Sequence, residues 1–436
     1  MKKKEEEKTT KPEEQKKSGS DMKFTKLEKS WILYDVANSA FVLLVSTIIP
    51  IYFDYLADLG GLTETEYLAY WSYAASIATI AVAIMGPIFG TAADRKNTKK
   101  PIFVIMLLIG CVGCVVLGFM KAWLMFLVIF IITKIGYSAA NVFYDAMLTD
   151  VTTDERMDKV SSNGYAYGYI GSCIPFVIGL LFVLFYDSIG ITFETAMGIT
   201  LWITAVWWFV LTLPLLRRYK QVHYVEAVPG AVKATFVQLG RTFLDIAKNR
   251  SILFFYIAFF FYIDGVYTII EEATAYGTAL GLDSTGLLLA LLVTQLVAFP
   301  CSIIYGKLAK RFGAERMIPV GIIAYMLITI YAIFLSTQAQ FWFLAVCVGM
   351  FQGGIQALSR SYFGKIIPPE KSGNYFGVLD ICGKGASFLG TLTVGLVTQF
   401  TGNFSIGVGA LVVFFILGFI FFQMSLRARR KEEAAA

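Results

Sequence analysis

Gly90 to Lys100 reads GTAADRKNTKK, and Gly306 to Arg316 reads GKLAKRFGAER. Both stretches follow a long apolar segment, and both lead into another. They stand half a chain apart in a sequence of 436 residues. A second echo keeps nearly the same spacing. Glu155 and Arg156 answer Glu370 and Lys371, and Gly168 and Ser172 answer Gly383 and Ser387. The repetition predicts an all-α membrane protein with twelve transmembrane helices in two pseudo-symmetric six-helix bundles.

Composition supports a membrane chain. Hydrophobic residues make up 57% and charged residues 16%, against about 25% charged in soluble domains. Apolar runs of about 20 residues, long enough to cross the hydrocarbon as helices, recur throughout. The first six run near 31–54, 68–92, 101–120, 123–149, 163–186 and 195–216. The second six run near 251–276, 284–306, 317–336, 341–366, 374–400 and 404–426. Helices are required because an isolated strand leaves its backbone polar groups unsatisfied in lipid. The chain thus divides into a disordered cytoplasmic tail (1–30), a first bundle (31–216), a cytoplasmic linker (217–250), a second bundle (251–426) and a short tail (427–436).

Charge sets the orientation. Of 37 lysines and arginines, Lys121 alone falls in an odd-numbered connection, and Lys134, Arg360 and Lys384 fall within spans. The others lie in the tails and even-numbered connections, which places both termini in the cytoplasm. The expected location is the cell membrane, or a vacuolar membrane in a eukaryote. The net charge of +6 belongs to this face, so nucleic acid is not an expected partner. His223 is the only histidine and lies in the linker. That excludes a histidine relay or histidine-held metal within the membrane. The six cysteines all lie in apolar spans, and Cys111 and Cys114 read as small buried hydrophobes. No cofactor or metal is implied. After Pro229-Gly230, apolar residues at Val232, Phe236, Leu239, Phe243 and Ile246 predict an amphipathic helix on the membrane surface.

In the first loop copy, Gly90 allows close helix packing. Asp94 can accept hydrogen bonds from a facing helix N-terminus. Arg95, Lys96, Lys99 and Lys100 hold the turn at the inner surface, and Asn97 tolerates the positive φ that a chain reversal wants. The loop is either a latch between the halves or simply a basic inner loop. In these residues the chain resembles the major facilitator superfamily, whose signature here is G-x-x-x-D-R-x-G-R-R/K. Gly90, Asp94, Arg95 and Lys99 match it; Asn97 and Thr98 depart from it. The second copy keeps Gly306, Arg311 and Gly313 but has Lys310 where the acid would be, a departure from the latch pattern.

Further motifs are more specific. Trp31-x-x-Tyr34-Asp35-x-Ala37-Asn38-Ser39-Ala40-Phe41 resembles the opening helix of the autophagy-related vacuole-effluxer family, which has bacterial members. Phe143-Tyr144-Asp145-Ala146, Asp264-Gly265-Val266, the run Gly353 to Ser361, Pro368-Pro369 and Gly383-Lys384-Gly385 extend the likeness. The resemblance implies a twelve-helix carrier, exporting amino acids in fungal members.

An ionisable residue deep in a span costs roughly 2.5–3.5 kcal/mol and therefore faces a cavity or a partner. Asp35, Asp145, Arg360 and Asp380 lie within about two turns of the inner surface and come from both halves. With Asn38, Gly90, Asp94 and Arg95 they read as a cytoplasmic gate; static ion pairs within one half are the alternative. Polar stripes at helical spacing include Lys134, Ser138, Asn141 and Asp145 in span 4. Asp264, Thr268 and Glu271 form another in span 7, and Gln352, Gln356 and Arg360 a third in span 10. They predict a wet cavity. Lys134, Asn141, Asp264, Glu271, Gln356 and Lys384 are the candidates for substrate binding and coupling. Lys134 or Lys384 suits a carboxylate, and Asp264 an ammonium. Surplus acids, Asp264, Glu271 and Glu272 first among them, permit proton coupling.

The expectation is a monomeric secondary active transporter. It moves a small polar organic solute, an amino-acid-like zwitterion or organic anion, by alternating access with protons as coupling ion. A lipid or amphiphile exporter of the same fold is the alternative. A polytopic membrane enzyme is less favoured, because no nucleophile–base motif or metal constellation is present.

Overall fold

The computed structural model describes residues 23–226 and 231–435. The first six long helices are α1 (Lys26–Leu59), α2 (Glu64–Ala93), α3 (Lys99–Leu117), α4 (Trp123–Ala146), α5 (Asp154–Leu184) and α6 (Phe193–Arg218). The second six are α7 (Arg250–Ala279), α8 (Ser284–Phe312), α9 (Ala314–Ile333), α10 (Gln338–Ile366), α11 (Ser372–Thr401) and α12 (Val412–Ala435). A linker helix, Ala231–Lys248, lies between the sets. Among the described residues, 11 segments are long and apolar enough to cross a membrane. α11, with 30 residues, completes the twelve. No strand forms among the described residues, only an isolated bridge between Arg95 and Val225.

Two helix starts differ from hydropathy. Residues 26–30, expected in the disordered tail, form the first turn of α1. The Thr25 hydroxyl caps the Glu28 amide, and the Glu28 carboxylate accepts from the Thr25 amide at 2.7 Å. Glu28 then pairs with Arg156 at 2.7 Å. α5 likewise begins at Asp154 rather than near 163. Its first turns are polar, so an apolar window misses them although they are helical. The tail after 426 is also helical, because α12 continues to Ala435.

The two halves repeat one packing plan. α1 packs on α5 and α6, as α7 packs on α11 and α12. α2 and α3 pack on α4, as α8 and α9 pack on α10. Each half has its own apolar core, with Phe41, Phe53 and Trp208 in the first and Phe255, Tyr325 and Phe415 in the second. In lipid this cohesion comes from close packing rather than from expelling water. The halves meet through two equivalent crossings, α2 with α11 and α8 with α5, and also through α5–α10 and α4–α11 contacts.

At the α2–α11 crossing, backbone faces backbone. Gly86 lies against Gly377 and Gly90 against Gly373; a Cβ on Gly90 would strike the Gly373 carbonyl. The turn after α2 reverses at Asn97, with φ 60°, and the turn after α8 reverses at Gly313, with φ 86°. These are equivalent positions in the two loop copies, and each needs a residue tolerant of left-handed backbone.

The linker helix buries Thr242 and Ile246 and exposes Phe243 and Leu244. It rests on α2, α7 and α11. Val232 and Phe236, two of its expected apolar positions, have side chains outside the described residues.

Candidate functional site

The two halves are joined at the face where α1 begins and α12 ends, beside the basic loops. The central residue is Arg360, near the end of α10. Its side chain is 6% exposed. One guanidinium nitrogen donates to Asp35 Oδ2 of α1 at 3.0 Å, and another to Asp145 Oδ1 of α4 at 3.0 Å. Nε donates to Ser161 Oγ of α5 at 2.9 Å. The guanidinium also stacks on Tyr165 at 4.4 Å, Trp31 at 4.6 Å and Tyr144 at 5.5 Å.

The cage is built by its neighbours. Trp31 and Tyr144 rings stack at 4.4 Å. The Trp31 indole donates to the Tyr144 carbonyl at 3.0 Å, and the Tyr144 hydroxyl donates to the Trp31 carbonyl at 3.1 Å. Gly164 has no side chain, which leaves room for Asp35 and Arg360 to meet. One cation of the second half is thus held by three helices of the first. Paired, hydrogen-bonded and ring-stacked, it satisfies what a buried charge requires.

A second contact joins the first loop copy to α11. Asp94 Oδ1 accepts from the Gly373 amide at 2.7 Å, and Oδ2 from the Asn374 amide at 2.9 Å. This is a carboxylate on a helix N-terminus. Burial pushes the Asp94 carboxyl up to about 7, against the opposing pull of Lys99 and the two amides. Lys99, expected at the surface, is instead fully buried. Its ammonium donates to Asp150 Oδ2 at 3.1 Å and to Ser372 Oγ of α11 at 2.9 Å. A buried lysine needs such a carboxylate, and Asp150 supplies it. Asp150 also accepts from the His223 amide at 2.8 Å and from the Tyr219 hydroxyl at 2.5 Å. The Val225 amide donates to the Asp94 carbonyl at 2.8 Å. The segment 219–225 is thereby strapped to the first half. A third contact runs from Asp158 of α5 to Ser361 and Lys365 of α10, both at 2.7 Å.

The structure therefore brings Asp35, Asp145 and Arg360 together, and sets Gly90 and Asp94 against α11. Asn38 is buried on α1, and Asp380 is half-buried on α11. The Arg95 backbone forms the bridge to Val225. Sequence reading placed Lys99 at the inner surface and missed Asp150, Asp158, Ser161, Ser361, Lys365 and Ser372. The basic position in the loop signature pointed to Lys99. Nothing in helical spacing marked its partners, because they lie on other helices.

Nearer mid-span the placements diverge. Asn141 Oδ1 accepts from the Tyr34 hydroxyl at 3.4 Å. Lys134 is half-buried, with its ammonium 5.9 Å from the Phe130 ring. Its charge acts on Glu271, the exposed acid of α7. Gln356 is half-buried, and the Lys384 side chain lies outside the described residues. Asp264 departs from the wet-cavity expectation. It has 0% exposure and accepts from the Gly390 amide at 2.9 Å and the Thr268 hydroxyl at 3.2 Å. Gly390 on α11 has no side chain, so the carboxylate fills that space inside the second half. A separate cavity of about 70 Å³ lies within that half, lined mainly by apolar groups with Glu272, Thr294 and Gln352.

Two similar six-helix halves, joined by charge pairs at one membrane face, define a transporter of the major facilitator superfamily. Solved transporters share this fold. FucP in its outward conformation superimposes with a TM-score of 0.70 at 14% identity, covering 92% of this chain and 97% of that one. The sequence profile described as "Vacuole effluxer Atg22 like" matches residues 59–435, and the chain belongs to that family. An uncharacterized MFS-type transporter, YxiO of Bacillus subtilis (strain 168), is 42% identical over 403 residues, 91% of this chain and 94% of that one. Autophagy-related protein 22-1 of Aspergillus niger is 26% identical over 275 residues, 56% of this chain and 43% of that protein. The chain thus aligns with about half the length of that fungal relative, whereas it spans nearly all of YxiO.

Proposed function

We propose that the protein is a monomeric, proton-coupled secondary transporter that exports a small polar organic solute by alternating access. The basic face is cytoplasmic, following the positive-inside bias. The observation that carries the reading is Arg360 of the second half inserted between Asp35 and Asp145 of the first. That contact closes the inner side, and it has to break before a solute can enter from the cytoplasm.

Solute selection is assigned to the mid-span groups. Lys134 receives a carboxylate, and Glu271, the exposed acid whose charge interacts with Lys134, receives an ammonium or a proton. Asn141 and Gln356 add hydrogen bonds. The solute class is an amino-acid-like zwitterion or organic anion, in keeping with the effluxer name of the family. Asp264 acts as a buried coupling acid rather than an open ligand group. The apolar cavity beside Glu272 favours a second reading, transport of an amphiphile.

Proteoliposomes loaded with a panel of amino acids and organic anions test this. A proton gradient should drive release of at least one solute, and Lys134→Ala should abolish it. A ligand bound at this site stabilises the protein by mass action, so its thermal shift should disappear in Lys134→Ala and Glu271→Gln. No flux and no shift across the panel would overturn the carrier reading. Flux of apolar amphiphiles alone would replace the solute class.

A further inference from the structure

The second loop copy carries Lys310 where Asp94 stands in the first, with Arg311 and Arg316 close by. A pocket of about 640 Å³ opens at the basic face between the end of α8, the start of α9 and the end of α12. Arg311, Arg316 and Arg430 line it with Gln423, and Phe312 and Pro319 form an apolar wall. The one carboxylate in its lining, Glu315, is taken by Arg429 at 3.5 Å. Arg429 is further held by Glu433 at 2.9 Å. Among the described residues, the three lining arginines have no carboxylate partner. Arg311 rests instead over the Phe312 ring at 5.2 Å.

We propose that this pocket holds the phosphate of an anionic phospholipid from the leaflet on the basic face. Three unpaired guanidinium groups around one space match phosphate oxygens in charge and in donor geometry. The pocket sits where two membrane helices end and a third emerges, the depth at which headgroups lie. Basic pockets at such a level recognise anionic headgroups. Phe312, 44% exposed, offers an apolar surface to the glycerol and upper acyl chain.

The test uses full-length protein in neutral detergent, with phosphatidylglycerol, phosphatidylcholine, glycerol phosphate and inorganic phosphate as separate probes. Phosphatidylglycerol should raise the unfolding temperature, and phosphatidylcholine should not. Each arginine is worth about fivefold in lipid affinity, so Arg311→Gln with Arg316→Gln and Arg430→Gln should weaken binding about a hundredfold. An equal shift from inorganic phosphate or glycerol phosphate, lost in the same variant, would overturn the lipid assignment in favour of a soluble phosphate. A shift retained in the triple variant would overturn the site. Should that variant fail to fold, native mass spectrometry of the unaltered protein decides. Preferential retention of phosphatidylglycerol, reduced in Arg316→Gln alone, supports the proposal, and equal retention of both lipids refutes it.

Discussion

Replacing Arg360 with glutamine should open the basic face. In the closed state the variant leaves Asp35 and Asp145 facing a neutral amide in a buried cage, with carboxylate exposures of 10% and 33%. Removing one partner of a buried ion pair costs about 3–5 kcal/mol. Asp145 is partly solvated, so its share is screened and the lower end applies. A penalty of about 3 kcal/mol, at 1.4 kcal/mol per decade, changes the closed-to-open ratio roughly a hundredfold. The open state bears little of this penalty, because there the carboxylates meet water. Spin labels at Asp154→Cys and Glu370→Cys, both exposed on opposite halves, report the separation in a background lacking the native cysteines. The variant should move the distance distribution to longer values. Adding Asp35→Asn and Asp145→Asn should restore much of the short-distance population, since the three neutral groups no longer carry an uncompensated charge. If Arg360→Gln leaves the distribution unchanged, the ion pairs do not hold the halves together and the gate assignment is wrong.

Asp94 predicts a pH response. Its carboxyl sits at about 7 when buried, against about 3.9 in water. Closing therefore takes up protons between these values, so preference for the closed state is fully present below about pH 4 and declines until about pH 7. The spin-label distances should lengthen as pH rises across that window, and Asp94→Ala should flatten the slope. Gly90→Ala places a methyl group against the Gly373 carbonyl; transport should fall more than tenfold while the unfolding temperature changes little. Asp150→Asn strands the buried Lys99 ammonium and should destabilise the protein by about 3–5 kcal/mol, measured as a lower unfolding temperature. Adding Lys99→Met should recover part of that loss.

The duplicated loop made the two-bundle plan and its symmetry legible in the sequence. Asn97 even occupies the left-handed turn that Gly313 provides in the second copy. Depth along the spans put Asp35, Asp145, Arg360 and Asp380 at one level, and the first three meet there in ion pairs. Helical spacing could not tell which way a stripe points. Asp264 therefore looked like a cavity residue, yet a glycine on another helix provides its space. Lys99 looked like a surface base, although its ammonium lies between Asp150 and Ser372. Partners drawn from different helices leave no periodic trace, and the polar opening turns of α5 fall below any hydropathy threshold.

At its two glycine pairs the contact of α2 with α11 has no side chains to interlock. Backbone meets backbone there, so a relative shift of the halves at these pairs would not require a side chain to hop between notches. The polar contacts between the halves lie instead at Arg360, Asp94, Lys99 and Asp158. If the halves rock as proposed, a mutation, a proton or a solute has only to act on those contacts to change the balance.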